Sequence, residues 1–250
     1  MWTYLILLLG IIALVAVLIK RYVIFYLKRR RLAEEALKPK EEEVEIPEVD
    51  VVKVSKADKS KIEVLLEEAD VLLKKGEEDE AIKVFVQALA IDNNHLDTLQ
   101  KLAMLYLQKQ MLGACAALFK QLAELTQDPL HYSHLGFALY QQSSFEEARD
   151  AYQKSVDLDP SRPQRFVSLA QVYRSLNQPQ NAIIALNKAV ELDSENLEFF
   201  LLLANIYSEL NNIEEAEMAL KTVLEKDSEN QDALDLLKKI HKELEGKDGK

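Results

Sequence analysis

An all-α solenoid of stacked helical hairpins, preceded by one membrane-spanning helix, is the architecture that this 250-residue sequence predicts. Two observations carry the expectation. A helix-pair pattern restarts at Ile62, Leu96, Pro129, Pro163, Leu197 and Gln231, at spacings of 34, 33, 34, 34 and 34 residues, and a fixed period of that length marks a helical-hairpin array. Ahead of the array, residues 2–19 form a run of 18 residues without a charge. Arrays of this kind present continuous grooves, so binding is the expected activity and chemistry is not.

The first element is the apolar run, which includes Leu5, Ile6, Leu7, Leu8, Leu9, Ile11, Ile12 and Val15. At ~1.5 Å per residue it spans ~27 Å, close to the ~30 Å hydrocarbon thickness of a bilayer. After Lys20 and Arg21, whose stems can snorkel, it resumes from Tyr22 to Leu27, so the anchor is placed over residues 1–27. A cleaved signal peptide needs positive charge before the apolar core and a small-residue cleavage site after it. Here the chain begins Met1-Trp2-Thr3-Tyr4, and the basic side chains Lys20, Arg21, Lys28, Arg29, Arg30 and Arg31 follow the core. A buried core helix is disfavoured because no other part of the chain is apolar enough to cover it. Positive charge stays on the cytoplasmic side, which predicts a single-pass protein of the plasma (inner) membrane with its C-terminal bulk in the cytoplasm. Gly10, Ala13 and Ala16 do not make the Gly-x-x-x-Gly spacing that pairs membrane helices.

Residues 28–61 read as a basic juxtamembrane segment followed by an acidic linker. Residues 1–40 hold eight Lys or Arg against Glu34 and Glu35, a net +6, so residues 41–250 carry −17 of the chain's total of −11. An acidic bulk argues against nucleic acid, which requires a clustered basic face. Glu41, Glu42, Glu43, Glu45, Pro47, Glu48 and Asp50 crowd the linker, and its 21 residues, 41–61, predict a tether with an end-to-end distance of ~25 Å if coil-like. The alternation over residues 49–54 is too poor to favour a strand.

Five hairpins follow, over residues 62–95, 96–128, 129–162, 163–196 and 197–230. Reading the fourth, eighth, eleventh, twentieth, twenty-fourth and twenty-seventh residues of each brings out the repeat. The first gives Leu65, Ala69, Leu72, Ala81, Phe85 and Ala88, and the second Leu99, Ala103, Tyr106, Cys115, Phe119 and Leu122. The third gives Tyr132, Gly136, Leu139, Ala148, Tyr152 and Ser155; the fourth, Phe166, Ala170, Tyr173, Ala182, Leu186 and Ala189; the fifth, Phe200, Ala204, Tyr207, Ala216, Leu220 and Val223. Small residues at positions eight and twenty let the paired backbones approach. Large apolar residues at four, eleven and twenty-four then fill the space between hairpins, each contributing roughly 1.5–3 kcal/mol when fully buried. Gly76, Ser143-Ser144, Asn177-Gln178-Pro179 and Asn211-Asn212 break the periodicity within hairpins, while Asp92, Asp159-Pro160, Asp193 and Asp227 do so between them. An eleventh helix over residues 231–244 keeps Leu234 and Leu237 on one face and charges elsewhere, as a terminal cap requires. Residues 245–250 are expected to be a disordered tail.

This pattern resembles the tetratricopeptide repeat (TPR) family, which implies a right-handed superhelical solenoid of five helix-turn-helix repeats plus a capping helix. It further implies that the first helix of each pair lines a concave groove through positions five, nine and twelve. Here those positions are Leu66, Asp70 and Leu73; Gln100, Met104 and Leu107; Ser133, Phe137 and Tyr140; Val167, Gln171 and Arg174; Leu201, Asn205 and Ser208. Met104, Leu107, Phe137 and Tyr140 make an apolar patch mid-groove, the composition of an interaction site. Some family members clamp a chaperone's terminal carboxylate with Lys, Arg and Asn at these positions. That set is largely missing, Arg174 and Asn205 being isolated, so the expected partner is an amphipathic helix or extended segment with apolar anchors and an acidic group for Arg174.

Chemistry has little material. Six glycines leave no phosphate-cradling loop, and there is no nucleophile elbow, His-Glu-x-x-His or Cys-x-x-Cys. One cysteine excludes an intrachain disulfide, and Cys115 sits where a small packing residue belongs. His131 and His134 are three apart, but that helix offers no third ligand for a metal. Glu146-Glu147 and Glu214-Glu215 suit the first turn of a helix, where the dipole favours negative charge. The sequence therefore predicts a non-enzymatic, membrane-anchored adaptor without cofactor, metal, nucleic acid or small-molecule substrate, whose groove holds a protein or peptide partner. The architecture also resembles bacterial membrane-anchored TPR regulators of lipopolysaccharide assembly, although their C-terminal cysteine-rich module has no counterpart in Lys247-Asp248-Gly249-Lys250. The alternative is an exported assembly factor for pili, envelope or cytochrome maturation, which needs the opposite topology.

Overall fold

The computed structural model describes residues 55–248, and over them the chain forms eleven α-helices and no strand. They are α1 (Lys56–Lys75), α2 (Glu78–Ile91), α3 (Leu96–Gln108), α4 (Leu112–Thr126), α5 (Pro129–Gln141), α6 (Phe145–Leu158), α7 (Pro163–Ser175), α8 (Pro179–Leu192), α9 (Leu197–Glu209), α10 (Ile213–Lys226) and α11 (Gln231–Asp248). Each packs mainly on its neighbours in sequence, which is the connectivity of a solenoid. Two ends differ from expectation. Helix α1 begins at Lys56 rather than Ile62, because Ser55 caps it by accepting from the Asp58 amide at 3.1 Å. Helix α11 continues past Leu244 to Asp248 instead of giving way to a tail. The expected anchor, the basic segment and the linker up to residue 54 lie outside the described residues. Among the described residues, no helix is long and apolar enough to cross a membrane.

Small side chains set the helix approach. Ala69, Ala103 and Ala204 at position eight, and Ala81, Cys115, Ala148, Ala182 and Ala216 at position twenty, are all fully buried. In the third hairpin Gly136 takes the eighth position, where an added Cβ would stand 2.8 Å from Cδ2 of Tyr152. Phe85, Phe119, Leu186 and Leu220 fill the twenty-fourth position with almost no exposure.

A second set of core positions escaped the sequence pattern. The third, seventh and tenth residues of each first helix bury against the preceding hairpin: Leu102 and Leu105, Leu135 and Ala138, Leu169 and Val172, Phe199 with Leu203 and Ile206, then Ala233 and Ile240. Their counterparts in α1 have no preceding hairpin among the described residues, so Val64 and Val71 stay 61% and 48% exposed. Buried clusters consequently straddle every junction, from Phe85 with Leu102 to Leu220 with Ile240.

The turns repeat as regularly as the helices. Within each hairpin one residue adopts a left-handed conformation, Gly76, Gln110, Ser143, Asn177 or Asn211. The next amide reaches back five residues, as in Glu77 N to Leu72 O at 2.9 Å and Gln178 N to Tyr173 O at 2.8 Å, a Schellman closure that satisfies the helix's last carbonyls. Between hairpins an aspartate ends the helix in extended geometry and its carboxylate accepts from the amide two residues on: Asp92 to Asn94, Asp159 to Ser161, Asp193 to Glu195, Asp227 to Glu229. The 33-residue spacing breaks this rule. There Gln127 closes α4 at φ 53°, and Asp128 caps α5 directly by accepting from the Leu130 amide at 2.7 Å, leaving two residues between the helices. Helices α4 and α5 then lie side by side as closely as partners within a hairpin.

Candidate protein-binding groove

The first helices α1, α3, α5, α7 and α9 carry the predicted groove residues, distributed over a row of recesses. Asp70, Leu73, Gln100, Met104 and Leu107 line one of about 780 Å³ between α1 and α3. Ser133 and Phe137 line the next, about 630 Å³ between α5 and α7, and Tyr140, Gln171 and Arg174 a third of about 430 Å³ reaching α9. Leu66 and Leu201 are half-buried against the first and last clusters, and Asn205 is exposed, its side-chain amide donating to Leu201 O at 2.9 Å.

Exposure separates anchors from core. Met104 and Phe137 present 44% and 41% of their surface, whereas Leu107 and Tyr140 are half-buried against neighbouring clusters. Val167 does not belong to the groove at all, since it is 1% exposed in the cluster that contains Phe199 and Leu203. A branched apolar side chain at position five simply continues the core there.

The charged members are already engaged. Lys101 Nζ lies 3.0 Å from Asp70 Oδ2, and Arg174 Nη2 lies 2.5 Å from Glu209 Oε1. The expected vacancy of Arg174 for an acidic partner is therefore corrected: Glu209, the last residue of the next first helix, takes it. Between these pairs α5 carries no Asp, Glu, Lys or Arg. Its Ser133 is tied down too, sharing a 2.7 Å hydrogen bond with Ser155, whose hydroxyl donates to Pro129 O at 2.6 Å. Helix α5 thus contributes an uncharged stretch between two self-neutralised ion pairs.

The histidines are packing residues. His131 is buried with Nδ1 2.8 Å from Thr126 Oγ1, while His134 stacks on Phe119 with ring centroids 4.8 Å apart. Burial, and then His131, holds the His134 pKa below its ordinary value. Among the described residues no group of three His, Cys, Asp or Glu side chains is placed to hold a metal ion. Burial also pushes the Cys115 thiol up to about 11, far from nucleophilic.

Several lining residues were not anticipated: Leu130, His134, Gln164 and Ser168 at positions two and six of their repeats, and Arg162 with Arg165 beside the α6–α7 turn. Positions two and six flank five and nine on a helical face, so a wider stripe would have found them. Arg165 is buried and donates to the Asp159 carbonyl at 2.7 Å and to its carboxylate. That guanidinium, with Ser161, holds the Asp159 pKa well below the carboxylate range.

Two family models, each described as tetratricopeptide repeat, match residues 56–135 with 174–240 and residues 135–197. No curated protein matches the chain. Among solved structures, MamA is 24% identical with a TM-score of 0.62 over 67% of this chain and 92% of that one. YrrB, titled a TPR protein with an unusual peptide-binding site, is 17% identical with a TM-score of 0.61 over 73% and 98%. The C-terminal part of a TPR repeat-containing protein from Cytophaga hutchinsonii is 21% identical with a TM-score of 0.63 over 70% and 73%. Helix order, repeat register and these matches converge: the chain belongs to the tetratricopeptide repeat family.

Proposed function

We propose that the chain is a non-enzymatic scaffold that binds protein partners through the face formed by α3, α5 and α7, with Met104 and Phe137 as its anchors. One observation supports this most: Met104 and Phe137 keep about two-fifths of their surface exposed while lining successive recesses along the first helices. The peptide-binding described for YrrB is consistent with it. Because Asp70 and Arg174 are already paired with Lys101 and Glu209, the partner segment needs no charged group to meet them and is held mainly through its apolar side chains. Gln100, Leu107, Tyr140 and Gln171 belong to the same three helices, and Leu66 of α1 with Leu201 and Asn205 of α9 would extend the face at either end.

The 18-residue uncharged run and the basic residues behind it support anchoring in the plasma (inner) membrane with the solenoid in the cytoplasm. Confinement at a bilayer raises the effective concentration of partners held there. The test is capture of partners by the full chain, compared with Phe137→Glu and Met104→Glu. We expect either change to abolish capture while helicity is kept, and the parent's capture to vary little between ~50 mM and ~500 mM salt, since exposed charge contacts would be screened over that range. Undiminished capture by both variants would move the binding surface elsewhere. For topology, a reporter fused after Lys250 that is active only outside the cytoplasm would favour the exported assembly factor.

A further inference from the structure

On the opposite side of α5 from Phe137 lies a recess of about 440 Å³ whose walls come from α4 and α6. Its floor is Leu135 and Leu139, its flanks are Ala116, Ala117 and Ala151, and Lys120, Glu124, Glu147 and Asp150 stand around it. The residues that shape it differ from their counterparts at the junctions before and after it. At position twenty-one Ala116 stands where the first, third and fourth hairpins carry Ile82, Arg149 and Ile183. At position eleven of the following helix, Leu139 stands where the other junctions carry Tyr106, Tyr173 and Tyr207. At the junction with the 33-residue spacing an alanine replaces a long side chain and a leucine a tyrosine, so the trough is a departure from the repeat rather than a by-product of it.

The polar rim states what the trough accepts. Three carboxylates surround it against one ammonium, Lys120. Arg149 engages only Asp150, at 2.7 Å, which leaves Glu124 and Glu147 exposed without an ion pair. This combination of an apolar floor and an acidic rim is the reverse of the charge-neutral groove on the other face.

We propose that the α4–α6 trough is a second protein-binding site, and that it takes a basic amphipathic helix, seating apolar side chains on Leu135 and Leu139 and Lys or Arg against Glu124 and Glu147. The site goes beyond the groove reading and does not depend on it. A helix of this kind matches the trough in both terms, burying its apolar stripe and neutralising the rim. The two faces would let one chain hold two partners of different chemistry, one recognised by shape and apolar contact, the other also by charge.

The test uses the full chain and a fluorescein-labelled synthetic helical peptide with leucines on one face and lysines on the other, read by anisotropy. The double variant Ala116→Ile with Leu139→Tyr restores the side chains of the other junctions and fills the trough. Glu124→Gln with Glu147→Gln alters only exposed rim groups. Each should weaken binding by about tenfold or more, and raising salt should weaken the parent's binding, whereas Phe137→Glu should leave it unchanged. Unchanged binding by the rim variant, or by a filled variant whose melting shows it folded, overturns the proposal. So does loss of binding by Phe137→Glu alone, a result that would place the peptide in the other groove. Failure here leaves the capture experiment on Phe137 and Met104 untouched.

Discussion

Gly136 and Tyr152 show how tightly single residues are set. The ring of Tyr152 occupies the space a Cβ on Gly136 would need, whereas the other hairpins pair an alanine with Phe85, Phe119, Leu186 or Leu220. Gly136→Ala should therefore destabilise by ~1–3 kcal/mol through overpacking, and Tyr152→Leu in the same chain should recover part of the loss; chemical denaturation of the three variants decides it. At Asp159 the sign follows from its depressed pKa. The Arg165 contact stabilises the fold while the carboxylate is ionised, above the unfolded value of about 4, and that stability drains away as pH falls below it. The stability gap between parent and Asp159→Asn should accordingly be open at neutral pH and close in acid, and a constant gap would deny the ion pair its role. The glycine at position eight was legible as a small residue; which neighbour demanded it was not, since a period reveals spacing and not the ring that crosses it.

At the level of elements, the hairpin turns carry the plainest prediction. Gln110 holds φ 59° where the first hairpin uses Gly76, and a side chain in that region costs roughly 1–2 kcal/mol. Gln110→Gly should raise the melting midpoint, although the added freedom of the unfolded glycine offsets part of the gain. The turn at Gln110 was the one that composition did not announce, because glutamine is not a turn residue and only the repeat's length required a break there. Helix ends were legible where Ser, Asp, Asn or Pro marked them and missed at Ser55, where the linker's acidic composition masked a capping serine. The capping role of α11 can be tested on Ile240, which is fully buried. Ile240→Ala should cost ~2–5 kcal/mol, while Val64→Ala on the exposed side of α1 should change stability by no more than ~0.5 kcal/mol. Equal effects would mean that the two ends of the stack are not distinguished as the burial pattern implies.

Across the whole molecule, the repeat period made the fold readable before any coordinates, since small residues at positions eight and twenty leave few other ways to pack. The groove was less readable. Positions five, nine and twelve located the right helices, but Val167 had become core and Arg174 had found Glu209, outcomes that depend on neighbours from the next hairpin rather than on a residue's own repeat. The outer trough was hidden in the same way, in what the second and third hairpins lack relative to the rest. The central claim is that partners engage the face centred on Met104 and Phe137. It is tested most directly by placing a photo-crosslinking amino acid at Phe137, and separately at the exposed Met218 of α10, in the full chain in its own cells. Discrete adducts from position 137 and none from position 218 are the predicted result; adducts from position 218 with none from position 137 would contradict it.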